Sequence, residues 1–341
     1  MNATMSLEKI KHYPVMLNQI LSIISPQHGG MFIDCTFGGG GYSRAILKFP
    51  NTKVVAIDRD KIVEQFAKKF SIEFPDRFKF FQDKFSNLTE IVKNNNNVRA
   101  IIFDLGLSSF QIGDNKRGFS FKSKGPLNME MGFNLYSVFE AVNKLSKEKL
   151  ANIIKILGEE KDARRIASEI IKYRTKKTIE KTEELVAIIR KAKKNYQKTK
   201  IDPATKTFQA LRIFVNQELS ELLKALFAAT QILRAGGILI VVNFHSLEDK
   251  IVKNFFKFYS SLNENPSRYL PKNSGLKKMN LFKKFSKKPL RPEEKEIYEN
   301  ARSRSAKLSY GIRNKNSYCY SEKLQEKFTN YLKIEESELW V

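Results

Sequence analysis

The sequence predicts an α/β fold, a parallel sheet covered by helices on both faces, with a second, all-helical domain inserted into it. Three observations carry this expectation. Short runs rich in β-branched and aromatic residues recur at 31–34, 53–57, 78–81, 100–103 and 238–242, with helical segments between them, the pattern of strands joined by crossover helices. The first run ends in Asp34-Cys35-Thr36-Phe37, and four glycines, Gly38 to Gly41, then turn the chain toward a helix. Between the fourth and fifth runs lie more than a hundred residues patterned for helices, far more chain than one crossover needs.

In order along the chain, the first strand places Asp34 at its carboxyl end, directly before the glycine turn. Glycine has no Cβ, tolerates positive φ and lets the backbone come close to a ligand. In open α/β sheets the crevice beyond the strand ends is where nucleotide-like cofactors bind. The second strand ends at Asp58, a carboxylate suited to accept hydrogen bonds from both ribose hydroxyls of an adenosine. A dinucleotide fingerprint, G-x-G-x-x-G, is absent: counted from Gly38 its last position is Ser43, and from Gly39 it is Arg44. Asp34 would repel a pyrophosphate but suits the cationic methionine end of S-adenosylmethionine. The turn therefore points to that cofactor and away from a nicotinamide-dependent dehydrogenase.

The third strand leads into Asp83-Lys84-Phe85-Ser86, and the fourth ends in Asp104-Leu105-Gly106-Leu107-Ser108-Ser109, with Gln111 close behind. In the long gap, Leu150, Ile153, Ile154 and Leu157 share one helical stripe, as do Leu185, Ile188, Ile189 and Ala192. A further single long helix fits Leu211, Val215, Leu219, Leu222 and Leu226. These patterns place an inserted helical domain over 112–206, a discontinuous sheet domain over 1–111 and 207–316, and a tail over 317–341. The last strand is expected at 307–312, after a helical excursion at 292–300. Leu324, Phe328 and Leu332 in the tail have helical spacing, and no role is assigned to them.

Composition narrows the function. The chain has 341 residues, 42% of them apolar, enough for a substantial core, and a formal charge of +25. That excess calls for a polyanion, with nucleic acid the first candidate. It is clustered: residues 161–200 hold fourteen Lys or Arg against five acids, and 277–291 hold seven basic residues and no acid, interleaved with Leu281, Phe282 and Phe285. Cys35 and Cys319 stand far apart, and His12, His28 and His245 lack ligand spacing, so no metal is expected. The start of the chain has no apolar signal core, and the longest apolar stretch, 238–242, is far too short to span a bilayer. The expectation is a reduced, cytoplasmic protein with no membrane partner.

Taken together, several segments resemble one family. They are His12-Tyr13-Pro14-Val15-Met16, Asp34 to Ser43, Ala56-Ile57-Asp58-Arg59-Asp60, Asp104 to Gln111, and Arg117-Gly118-Phe119-Ser120-Phe121. Further on come Gly158-Glu159-Glu160, Thr207-Phe208-Gln209-Ala210-Leu211-Arg212-Ile213, Phe244-His245-Ser246-Leu247-Glu248-Asp249 and residues 302–308. Over about residues 10 to 315 the chain resembles the RsmH (MraW) family of small-subunit ribosomal RNA cytosine N4-methyltransferases. The resemblance implies a class I (Rossmann-like) S-adenosylmethionine-dependent methyltransferase sheet, with the inserted helical domain recognising substrate. It implies N4-methylation of a specific cytidine in the decoding region of 16S ribosomal RNA, with that RNA or the small subunit as partner. It also implies that Gly40, Gly41, Tyr42, Asp58, Phe85, Asp104 and Gln111 hold S-adenosylmethionine. Asp104 is in addition the candidate to orient the target amine, with Ser108 or Ser109 as helpers, while His245 is expected to order its strand-to-helix loop.

The chain departs from the family pattern at a few positions. Tyr42 stands where His is usual, Phe110 where Pro is, Asn128 and Glu130 where Asp and Arg are, and Asn243 where Ser is common. Two other readings are a methyltransferase of the same fold acting on another RNA or a protein, and a non-catalytic RNA-binding ribosome assembly factor. The intact Gly40, Asp58 and Asp104 stand against the second.

Overall fold

A computed structural model of the chain describes residues 14–93, 97–122, 124–193, 202–260, 280–285 and 288–336. Its sheet is formed by β1 (Gly30–Asp34), β2 (Thr52–Asp58), β3 (Phe78–Gln82), β4 (Val98–Asp104), β5 (Leu233–Asn243), β6 (Phe282–Phe285) and β7 (Lys307–Arg313), in the order β3-β2-β1-β4-β5-β7-β6. The first five strands are parallel, and β7 pairs antiparallel with both β5 and β6. Parallel strands covered on both faces read as continuous apolar runs. Ile101, Ile102 and Phe103 in β4 and Leu239 to Val242 in β5 are accordingly buried without alternation.

The helices, in chain order, are α1 (Leu17–Ile24), α2 (Gly41–Leu47), α3 (Glu64–Glu73), α4 (Leu88–Ile91), α5 (Ser109–Gly113), α6 (Val138–Lys144), α7 (Lys147–Leu157) and α8 (Ala163–Arg174). There follow α9 (Thr182–Ala192), α10 (Thr205–Asn216), α11 (Glu218–Ile232), α12 (Ser246–Tyr259), α13 (Glu294–Glu299), α14 (Glu322–Glu326) and α15 (Thr329–Glu336). The chain divides into two compact units. One, holding the sheet, consists of the described residues of Lys11–Gly106 and Glu221–Lys327. The other is helical and consists of the described residues of Leu107–Ser220 and Phe328–Val341.

In the sheet unit, Phe32, Val54, Ala56, Ile102, Ile240 and Val242 form one core with Ile20, Ile24, Ile46 and Phe70. Burying such side chains contributes roughly 1.5–3 kcal/mol each. In the helical unit both expected stripes are fully turned inward: Leu150, Ile153, Ile154 and Leu157 on α7, and Leu185, Ile188, Ile189 and Ala192 on α9 are all buried. α7 packs on α8 and α10, and α8 packs on α9. Serine caps start α6 and α7: Ser137 accepts from the Glu140 N–H in a reciprocal capping box, and Ser146 accepts from the Lys149 N–H.

Four features differ from the sequence expectation. The helical unit is wider than 112–206, because Leu107 to Phe110 and the residues up to Ser220 group with it. The single helix expected over Leu211 to Leu226 is two helices, broken at Gln217, whose φ of 53° caps the end of α10. The tail is not idle: Leu324, Phe328 and Leu332 are buried, and α15 packs on α7 and α10. From α15, Glu335 accepts from the Leu219 N–H at 3.0 Å and the Ser220 N–H at 2.6 Å, which satisfies the first turn of α11. Lastly, the basic segment 277–291 contains a strand, β6; its residues 277–279, 286 and 287 lie outside the described residues, as do His12 and Tyr13.

Candidate active site

The sheet order reverses between β1 and β4: from β1 the chain proceeds outward to β2 and β3, and from β4 to β5. Such a switch point opens a crevice beyond the carboxyl ends of the two strands. Asp34 closes β1 and Asp104 closes β4, with Asp58 at the end of the neighbouring β2. Three carboxylates therefore gather at one sheet edge, and each is shaped by a different set of partners.

Asp34 is fully buried and points into the turn, where its Oδ2 accepts from the Ser43 hydroxyl at 2.7 Å and its Oδ1 from the Thr36 N–H at 3.3 Å. Burial pushes its pKa up to about 6, against those hydrogen bonds. Asp58 clamps the turn from β2: Oδ2 accepts from the Gly38 N–H at 2.8 Å and Oδ1 from the Asp60 N–H at 2.9 Å. Burial raises this carboxyl as well, to about 6.

The turn rests on aromatic packing. Phe37 lies edge-on to Phe70 at 5.2 Å and meets Phe78 at 5.6 Å and Phe80 at 5.5 Å. Gly40, at φ 76°, is the N-cap of α2, and a Cβ there would come within 2.5 Å of the Phe70 ring. A Cβ on Gly41 would run into Pro14. Both glycines are thus required by the packing of the chain itself, a constraint separate from any close approach to a ligand.

Asp104 is the most perturbed of the three. Its N–H donates to Thr36 Oγ1 at 2.8 Å, and its Oδ2 lies 3.1 Å from the Tyr42 hydroxyl. Tyr42 also donates to the Val15 carbonyl at 2.5 Å. One hydroxyl has one proton to give, so Tyr42 shares it between the Val15 carbonyl and Asp104 Oδ2. Burial raises the Asp104 pKa to about 8, with the Tyr42 hydrogen bond opposing and Asp34, Glu248 and Glu296 adding to the rise. The other oxygen, Oδ1, is buried with no hydrogen-bond partner among the described residues. An orphaned buried acceptor of this kind is costly unless something else pairs with it.

The remaining expected residues fall out as follows. Phe85 is half-buried, with its ring edge-on to Phe103 at 5.5 Å. Gln111 belongs to the helical unit, where it forms a capping box at the start of α5: its N–H donates to Ser108 Oγ and its Oε1 accepts from the Ser108 N–H at 2.9 Å. His245 is the N-cap of α12. Its Nδ1 accepts from the Glu248 N–H, and Glu248 Oε2 accepts in return from the Phe244 N–H at 2.8 Å, so this histidine orders the loop after β5. Asn243 is fully buried with both side-chain polar atoms unpaired among the described residues, and nothing in the structure explains an amide there.

Sequence reasoning missed Thr36, Ser43 and Glu296 as parts of this framework. Thr36 and Ser43 sit inside the quoted motif, two and nine residues after Asp34, and a hydroxyl at a strand-to-helix turn is a readable signal. Glu296 accepts from the Met16 N–H at 2.7 Å across 280 residues of sequence, for which no local signal exists.

Residues 9–313 match the model of the MraW methylase family. The chain belongs to that family. Proteins named "Ribosomal RNA small subunit methyltransferase H" are among its relatives. The one from Wolbachia sp. subsp. Drosophila simulans (strain wRi) is 46% identical over 300 residues, covering 87% of this chain and 97% of that protein. Those of Ehrlichia ruminantium (strain Gardel) and Ehrlichia canis (strain Jake) are each 45% identical, again over 87% of this chain, with 97% and 98% of their own lengths covered. The family model thus runs through both compact units, from residue 9, ahead of the glycine turn, to the end of β7.

Proposed function

We propose that this chain is an S-adenosylmethionine-dependent methyltransferase that methylates N4 of one cytidine in the decoding region of small-subunit (16S) ribosomal RNA, in the cytoplasm. The observation that carries this reading is Asp104, an acid at the switch point with one oxygen held by Tyr42 and the other buried and unpaired among the described residues. Family membership and the names of the relatives support the substrate class.

The residues present fit the cofactor. Asp58 spends one site on each oxygen on the turn, and a carboxylate has about four, so acceptors remain for two ribose hydroxyls. Phe85 offers a ring for adenine, the backbone of Gly40, Gly41 and Tyr42 lines the turn, and Gln111 is the remaining proposed contact. When bound, the cofactor supplies a methyl group already strongly electrophilic.

What the protein supplies is placement. The N4 amine of cytosine is a poor nucleophile because its lone pair is delocalised into the ring, and fixing it in line with the methyl contributes roughly 7–11 kcal/mol. Asp104 Oδ1, accepting one N4–H, turns the lone pair toward the methyl and stands where the departing proton is released. Ionisation of Asp104 is easier beside a positive charge. A cytidine must leave its stack to reach such a site, which suits an unpaired or flipped nucleotide.

Transfer of a labelled methyl group from S-adenosylmethionine to small-subunit RNA by the purified protein tests the reading. Nucleoside digestion is expected to place the label in N4-methylcytidine. Label confined to another nucleoside, or to protein, would contradict it.

A further inference from the structure

The helical unit carries a groove that the proposed methyl-transfer chemistry does not use. It encloses about 780 Å³ between the starts of α7 and α8 and the end of α9. That volume lies within the range of ligand sites, yet its lining is unlike a small-molecule pocket. Four cations face it, Lys147, Arg164, Arg165 and Lys191, with Glu148 and Glu169 as the acids and Asn152 and Ser168 as neutral hydrogen-bonding groups.

The charges are not equally committed. Arg165 pairs with Asp162 at 2.5 Å, and Lys191 pairs with Glu169 at 2.9 Å, a contact that holds the Glu169 carboxyl below its usual range. Lys147 and Arg164 are exposed and have no ion-pair partner among the described residues. Two uncommitted cations thus face a groove in a chain whose net charge is +25. Among the described residues no aromatic side chain lines the groove, and unpaired bases are usually held by stacking on aromatic rings. The groove is therefore built for the sugar–phosphate backbone rather than for a base.

We propose that this groove binds phosphodiesters of the RNA substrate, with Lys147 and Arg164 each neutralising one phosphate and Asn152 and Ser168 meeting ribose hydroxyls. The inference rests on the RNA reading given above and assigns part of the grip to named residues. Lys191 and Arg165, paired with Glu169 and Asp162, frame the groove around the two uncommitted cations.

The test compares wild type with Lys147→Gln/Arg164→Gln, measuring binding of a fluorescently labelled single-stranded RNA across a salt series. Each phosphate contact on single-stranded nucleic acid contributes about 0.7 to the slope of log affinity against log salt. The double variant is expected to bind more weakly and to lose about 1.4 from that slope, with S-adenosylmethionine affinity and thermal unfolding unchanged. A single Arg164→Lys variant, which keeps the charge, is expected to retain the wild-type slope. Superimposable slopes for wild type and double variant would overturn the proposal, and so would loss of RNA binding in Arg164→Lys with its charge intact. Wild-type methyl transfer, assayed in parallel, separates the two readings. Normal methylation with unchanged slopes removes the groove but leaves the function, whereas altered slopes without cytidine methylation remove the function but leave the groove.

Discussion

Asp104 Oδ1 is buried without a partner among the described residues, and burial raises the carboxyl to about 8, so the free protein holds it protonated at neutral pH. Methyl transfer should therefore rise with pH as this group ionises, and Asp104→Asn should lose that step while depressing turnover more than cofactor affinity. Equal loss of both, measured by calorimetry and initial rates, would reduce Asp104 to a cofactor contact. The same shift affects stability. The folded chain keeps a proton that the unfolded chain releases near 3.8, so the stabilisation is complete below that value and is lost as pH rises toward 8. Asp104 should account for a loss of up to about 1.4 kcal/mol per pH unit across that window, so the fall in stability with pH should be shallower by that amount in Asp104→Asn urea melts than in wild type. Because the Tyr42 hydrogen bond lowers the Asp104 pKa, Tyr42→Phe should move the activity midpoint to higher pH; an unmoved midpoint would show that the hydroxyl serves only Val15. Asp58→Ala should weaken S-adenosylmethionine by tenfold or more, about 1.4 kcal/mol, since it removes the ribose acceptor and frees the Gly38 N–H; unchanged calorimetric affinity in the folded variant would refute the assignment. These acids were legible in the sequence because each ends an apolar run. The carbonyl of Val15 and the carboxylate of Glu296 were not, because they reach the site only through folding.

Among the elements, the parallel strands were readable because burial on both faces leaves uninterrupted apolar runs, and α7 and α9 because their stripes repeat at helical spacing. The break between α10 and α11 was not. Apolar spacing continues through Gln217, and the group that satisfies the new helix start, Glu335, comes from 115 residues further along the chain. β6 escaped for a related reason: Phe282-Lys283-Lys284-Phe285 becomes a strand through its antiparallel pairing with β7, not through any alternation of its own. The trans cap makes a sharp prediction. Glu335→Ala strips the acceptor from two buried N–H groups and the Ser220 hydroxyl, and should cost about 1–3 kcal/mol together with faster hydrogen exchange at Leu219 and Ser220. Unchanged exchange at those amides would mean that the tail packs without capping.

For the molecule as a whole, charge is the property that composition reports and the fold distributes. In the described part of the second basic cluster, Lys283, Lys288 and Arg291 are exposed, with Lys283 on the sheet's edge strand β6. Edge lysines also serve to block strand-to-strand association, so replacing Lys283 and Lys288 by Gln discriminates between two roles. A flatter salt dependence of RNA binding supports phosphate contact; self-association with an unchanged salt slope supports edge protection. The two-part organisation was visible as the long helical gap, but its limits were not, since residues on either side of 112–206 and the tail join the helical unit by packing. The most direct test of the central claim is mass mapping of methylated cytidines in small-subunit ribosomal RNA from cells with and without this gene. One N4-methylcytidine in the decoding region should disappear on deletion, return with the wild-type chain and stay absent with Asp104→Asn. An N4-methylcytidine pattern unaltered by deletion would contradict the account.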